Sequence, residues 1–217
     1  MHWVYYFGRV VIRIMVFPFA GWRVKGTENV PGRGTFIVVC NHLHIADPPI
    51  LASSLKLKAV FMAKEDLWRS RWSRFWVENF GAFPVKRGGT GAEAIRQAEY
   101  WLKKGVSVII FPEGGRSRTA SLQAAFSGAA LVAMRTGAPI LPASITGTDK
   151  FANLAWCFFH RPRVTVTFGP PFSPPSANGK PARQVRAGLI NDIMIRIAAL
   201  LPPAYRGVYD TEKSTRN

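Results

Sequence analysis

A histidine and a carboxylate stand five positions apart in Cys40-Asn41-His42-Leu43-His44-Ile45-Ala46-Asp47-Pro48-Pro49, where an apolar run ends. An imidazole held by a carboxylate is the composition of a general base. One ring nitrogen takes a proton from a substrate, while the carboxylate keeps the other N–H in place and stabilises the imidazolium that forms. On a regular helix a five-residue step points the two side chains apart, so they meet only if the chain turns between them. Residues 35–40, Thr-Phe-Ile-Val-Val-Cys, are rich in β-branched types and read as a buried strand, which sets Asn41 and His42 at its exposed end. Pro48 suits the first position of a helix and makes Asp47 a natural N-cap. Two readings stay open from these residues: a strand-to-helix turn that closes a His–Asp pair, or a helix cap beside an ordinary loop histidine.

Two further chemistries can be weighed on the same stretch. His42, His44 and Asp47 are metal-ligand types, yet the chain has four histidines and the other two, His2 and His160, fall in unremarkable surroundings. Three or four ligands are hard to assemble from that set. Cys40 precedes His42 by two residues and raises a Cys/His nucleophile. On an extended backbone, however, Cys40 belongs to the apolar run and reads as core.

A second cluster follows the clearest buried strand, 106–111, which delivers Pro112-Glu113-Gly114-Gly115-Arg116-Ser117-Arg118 at its end. Strand ends of an open α/β sheet converge on a common crevice, so Glu113 and Arg116 can face His42 across it. Arg116 suits planar recognition of a phosphate, and the paired glycines expose backbone N–H groups where an oxyanion would develop. A surface Glu/Arg ion pair is the plainer alternative. A third stretch, Gly81-Ala82-Phe83-Pro84-Val85-Lys86-Arg87-Gly88-Gly89, reads as a loop whose adjacent cations could hold a phosphate or could simply form a solvated turn.

The elements that must position these clusters alternate in type. Strands are expected at 22–26, 58–62, 139–146 and 163–168, and helices at 69–80, from Thr90 and Glu93 as a capping box to Gly105, at 122–136 and at 185–201. The fold expected is a single α/β layered domain, a central mostly parallel or mixed sheet flanked by helices, over residues 21–202. Residues 203–217 read as a polar, frayed tail.

Residues 1–20 read as an N-terminal amphipathic helix: Trp3, Phe7, Val10, Val11, Ile14 and Phe17 recur at helical spacing, and Arg9 and Arg13 share another side. The run is short, broken by arginines and closed by Pro18, so an interfacial helix is expected rather than a spanning one, with the arginines on headgroup phosphates. A helix packed on the domain's own core is the alternative. Two cysteines make no disulfide framework. Twenty-nine Lys and Arg against 12 Asp and Glu give a net charge of +17, which implies a polyanionic partner. The basic residues are interspersed with apolar ones and no nucleic-acid-binding pattern appears, which favours an anionic membrane surface over nucleic acid.

Taken together, four segments resemble the glycerolipid acyltransferase family typified by lysophosphatidic acid acyltransferases, in that family's order. They are Asn41-His42 through Asp47, Gly81 to Arg87, Phe111 to Ser117, and Ala138 to Pro142 with Gly147. The resemblance spans roughly residues 22–170 and shifts His42 from loop residue to catalyst. It implies His42 as general base and Asp47 as its orienting carboxylate. It also implies a substrate site of Asn41, Lys86, Arg87, Glu113, Gly114, Gly115 and Arg116, with Arg87 and Arg116 on the acceptor phosphate and Glu113 on the glycerol part. No metal and no cofactor are implied; the co-substrate would be an acyl-CoA or acyl carrier protein thioester, and the acceptor a lysophospholipid. The implied setting is the cytoplasmic face of the cell membrane. The chain departs from the family pattern at His44, where serine is usual, at Gly115, where threonine is usual, and at Lys86, where an acidic residue is usual. A hydrolase or transacylase of the same fold, and a non-catalytic basic membrane- or nucleic-acid-binding protein, are the rival functions.

Overall fold

The β-branched runs become the middle of one sheet. A computed structural model describes residues 2–16, 20–79, 81–85, 91–151, 154–176 and 182–210. Along the chain these form α1 (His2–Val16), β1 (Gly21–Lys25), β2 (Ile37–Cys40), α2 (Asp47–Ser54), β3 (Ala59–Lys64), α3 (Arg71–Asn79) and β4 (Ala82–Val85). There follow α4 (Ala92–Lys103), β5 (Ser107–Ile110), α5 (Gly128–Thr136), β6 (Ile140–Thr146), α6 (Leu154–His160), β7 (Arg163–Phe168) and α7 (Ala182–Ala199). The sheet order is β1-β7-β6-β2-β5-β3-β4. All neighbours run parallel except β6 and β7, so the sheet is mixed. Strands β2 and β5 are buried at every residue, as expected of parallel strands covered on both faces. Ile37, Val39, Val108, Ile110 and Ile140 pack under α4, α5 and α7, while Val38, Cys40, Ile109 and Leu141 meet α2 on the other side. Because β2 and β5 are adjacent with Val39 opposite Ile110, their carboxyl ends deliver both chemical loops to one edge of the sheet.

Several expectations are corrected. Residues 82–85, read as part of a loop, are a strand: Phe61 to Lys64 on β3 pair with Ala82 to Val85. Helix α5 starts at Gly128 rather than at 122, because residues 122–126 form an irregular segment held by distant partners. The Leu122 amide donates to the Tyr205 carbonyl at 2.9 Å, and Phe126 N–H donates to the Pro112 carbonyl at 2.9 Å. Helix α4 has Gly91 in the left-handed region at its N-cap position, with no side-chain cap bond there; Thr90 lies outside the described residues. Residues 203–210 are packed rather than frayed. Their two short 3-10 turns pair with both backbone groups of Leu122, and the Tyr205 hydroxyl donates to Asp149 at 3.0 Å.

Helix α1 docks on the domain with its arginines turned inward, not outward as the headgroup reading expected. Buried Tyr5 places its hydroxyl between the Ala59 amide and carbonyl, at 3.2 and 3.3 Å. The Arg9 guanidinium donates to the carbonyls of Ser53, Leu55 and Lys56, and Arg13 donates to Ser53 O at 3.0 Å. These are the orphan carbonyls at the end of α2, where cations are also favoured by the helix dipole. The opposite side of α1 exposes Phe7, Val10 and Ile14. Among the described residues no helix is long and apolar enough to cross a membrane.

Candidate active site

The turn between β2 and α2 closes the pair. His42 Nδ1 lies 2.8 Å from Asp47 Oδ2, and the same oxygen accepts the backbone amides of Leu43 at 2.6 Å and His44 at 2.7 Å. Asp47 opens α2 and is followed by Pro48, but its carboxylate faces back into the turn and makes no helix-capping bond. Four residues of turn are thus folded around one oxygen, which is why a five-residue step brings base and carboxylate together. A carboxylate only accepts, so Nδ1 carries the hydrogen and the Nε2 lone pair is left to take a proton. Asp47 is fully buried and the His42 side chain is 16% exposed, so the base reaches solvent while its orienter does not. The ring lies nearly parallel to Phe111, centroids 4.3 Å apart and planes at 27°. Asp47 Oδ1 is buried with no hydrogen-bond partner among the described residues.

The loop after β5 wraps the same histidine. Glu113, 8% exposed, accepts the His42 amide on Oε1 at 3.1 Å and the Gln123 amide on Oε2 at 3.0 Å. Ser117 N–H donates to the His42 carbonyl at 2.7 Å. Burial pushes the Glu113 carboxyl above its ordinary value, while the two backbone donors pull it back down. Each Glu113 oxygen accepts one backbone amide, so this carboxylate fixes where His42 sits. Asn41 also has a positioning role. It is almost fully buried, and its side-chain amide exchanges two bonds with Ile145, 2.9 Å to the carbonyl and 2.8 Å from the N–H, tying the end of β2 to β6. Cys40 is buried, burial drives its thiol well above the ordinary value, and it is a core residue rather than a nucleophile.

The remaining expected residues divide. Gly114 has φ +67°, and a Cβ there would stand 2.8 Å from the Phe126 ring; its amide is committed to the Phe111 carbonyl at 3.0 Å, so it is not an oxyanion donor. Gly115 borders open space, and its amide has no acceptor among the described residues. Arg116 is exposed, with no hydrogen bond or ion pair among the described residues. Lys86 and Arg87 lie outside the described residues. Sequence reasoning missed Phe111, Ser117 and Gln123 as supports of His42. Phe111 had a local signal as the last apolar residue before Pro112; the other two act through backbone amides, which leave no trace in residue type.

This arrangement, an oriented base beside an exposed guanidinium and a free amide, suits deprotonation of a hydroxyl next to an anionic group. The Acyltransferase family model matches residues 21–146. The chain is 26% identical to the 1-acyl-sn-glycerol-3-phosphate acyltransferase of Bacillus subtilis, over 91% of this chain and 96% of that protein. It is 32% identical to the enzyme of the same name from Streptococcus pneumoniae, over 79% of this chain and 62% of that one. Among solved structures it is similar to the 1-acyl-sn-glycerophosphate (LPA) acyltransferase of Thermotoga maritima. The TM-score is 0.65 at 25% identity, covering 91% of this chain and 78% of that chain. The loops that hold His42, Asp47 and Glu113 all fall inside the matched segment, and the chain belongs to the Acyltransferase family.

Proposed function

We propose that this acyltransferase moves a fatty acyl group from a thioester donor to the sn-2 hydroxyl of lysophosphatidic acid, giving phosphatidic acid for phospholipid biosynthesis. The observation that carries the reading is the His42 ring held by Asp47 with Nε2 free. His42 Nε2 takes the hydroxyl proton as the oxygen attacks the thioester carbonyl. Asp47 stabilises the imidazolium, and the Gly115 amide donates to the oxyanion. Collapse breaks the C–S bond, and the proton passes from His42 to the departing thiolate, so the base is regenerated. Arg116, with Arg87 and Lys86, binds the acceptor phosphate. The relatives' names support lysophosphatidic acid as acceptor.

The donor is acyl-CoA or acyl carrier protein, both polyanionic and suited to a chain of net charge +17. The enzyme works at the cytoplasmic face of the cell membrane as a peripheral or monotopic protein. Supporting this are the apolar outer side of α1 and the exposed Trp72 and Phe75 beside Arg71 and Arg74 on α3. The test is thiol release from oleoyl-CoA in mixed micelles, with and without lysophosphatidic acid, for wild type and His42→Ala. Release that depends on the acceptor and is lost in His42→Ala supports the reading. Release indifferent to the acceptor points to a hydrolase, and wild-type activity only with acyl carrier protein identifies the donor.

A further inference from the structure

His44 is unused by the chemistry above, yet it sits within the same turn. Its ring Nδ1 accepts the Ala46 amide at 3.3 Å, which fixes the tautomer with the hydrogen on Nε2. The ring is held edge-to-face against Phe151, centroids 5.4 Å apart. Burial holds this imidazole below its ordinary value against the pull of Asp47, and the nearby charges of Arg116 and His42 push the same way as burial. The ring is therefore an uncharged N–H donor near neutral pH. Among the described residues Nε2 has no partner.

The 113–117 loop brings the Arg116 guanidinium near it. That loop is bonded to His42 at both ends, through Glu113 on the amide and Ser117 on the carbonyl. Arg116, whose guanidinium has no hydrogen bond or ion pair among the described residues, is thereby carried beside the turn that holds His44, close enough for its charge to act on that imidazole. An imidazole N–H and a guanidinium on two loops tied together beside a base suit an anion with several oxygens, since each oxygen of a phosphomonoester can take a separate donor.

We propose that His44 is a specificity-determining residue, donating from Nε2 to the headgroup phosphate of the acceptor alongside Arg116. The inference rests on the acceptor reading above and deepens it, because it makes selection of a phosphorylated over an uncharged acceptor depend on a named side chain. A hydrogen bond to a charged group is worth about 1.5–3 kcal/mol, which is roughly ten- to a hundredfold in acceptor selection.

The experiment measures kcat and KM for 1-oleoyl lysophosphatidic acid and for 1-monooleoylglycerol, at saturating oleoyl-CoA, in wild type, His44→Phe and His44→Gln. Phenylalanine keeps a ring against Phe151 but has no donor; glutamine keeps a donor and an acceptor for the Ala46 amide. The expected result is a preference for the phosphorylated acceptor that falls about tenfold or more in His44→Phe. The loss should lie in KM rather than kcat, with His44→Gln retaining most of the preference. If His44→Phe lowers kcat for both acceptors in parallel, the ring only supports the turn and the inference is overturned. An unchanged preference in His44→Phe overturns it as well. A wild type with no preference for the phosphorylated acceptor overturns the acceptor reading itself, an outcome visible before any variant is made.

Discussion

Replacing Asp47 with asparagine exchanges one carboxylate oxygen for an NH2 group and leaves the side chain's shape intact, so its effect can be worked from the hydrogen bonds. Oδ2 receives three N–H donors, and buried Oδ1 receives none among the described residues. If the new amide keeps its oxygen at the Oδ2 position, the turn stays closed. Its NH2 then occupies the Oδ1 position with no acceptor, costing about 1–3 kcal/mol of stability. At about 2–4 °C per kcal/mol for a domain of this size, Tm falls by roughly 2–12 °C. The imidazolium also loses a charge-assisted partner worth about 1.5–3 kcal/mol, or one to two decades in kcat. If the amide flips, its NH2 faces three donors, and His42 is driven to the tautomer with hydrogen on Nε2, which cannot accept the substrate proton. Triads treated this way lose about four decades. The expected outcome is therefore a kcat for acceptor-dependent thiol release reduced roughly ten- to ten-thousandfold, with a smaller change in KM. An Asp47→Asn enzyme within about threefold of wild-type kcat would refute the assignment of Asp47 as orienter of the base.

Other outcomes follow from single contacts. Gly114→Ala puts a Cβ into the Phe126 ring at a backbone position of φ +67°, and should lower Tm by several degrees, whereas Gly115→Ala meets open space and should leave Tm nearly unchanged by calorimetry. Arg9→Ala uncaps the carbonyl end of α2 and should cost about 1.5–3 kcal/mol in urea unfolding, most of it kept by Arg9→Lys if charge near the helix end dominates. His44 has a folded-state value below the ordinary imidazole value of 6.5, so the unfolded chain binds its proton first as pH falls. Its contribution is complete above about pH 6.5 and is lost on acidification toward the lower folded-state value. A plot of Tm against pH from 7.5 to 5 should fall less steeply for His44→Gln than for wild type, and parallel curves would refute the burial argument.

The His42–Asp47 contact was legible because it is local: one strand end, one turn and one helix start contain every atom of it, and residue types along a short stretch report such features. The central strands were legible for a related reason, since β2 and β5 are buried on both faces and must be apolar throughout. What escaped depends on partners far along the chain. Leu122-Gln123-Ala124-Ala125-Phe126 has good helix propensity, but the Tyr205 carbonyl, the Glu113 carboxylate and the Pro112 carbonyl hold it out of the helix, and tertiary bonds override the local preference. The two backbone amides on Glu113 come from residues 71 positions earlier and ten positions later, and only the topology brings them to it. Arg9 and Arg13 were assigned to the outside of α1 because charge usually faces solvent, yet uncapped carbonyls on α2 offered them a closer partner.

The bonds that fix Leu122 also set an order in time. Tyr205 holds the Leu122 amide, the neighbouring Gln123 amide is held by Glu113, and Glu113 holds the amide of His42. A ribosome makes the chain from its amino end, so His42 and Asp47 emerge some 160 residues before Tyr205, which completes their support. During synthesis the histidine waits for that residue, and a nascent polypeptide stopped short of it carries the pair without the brace that sets its position.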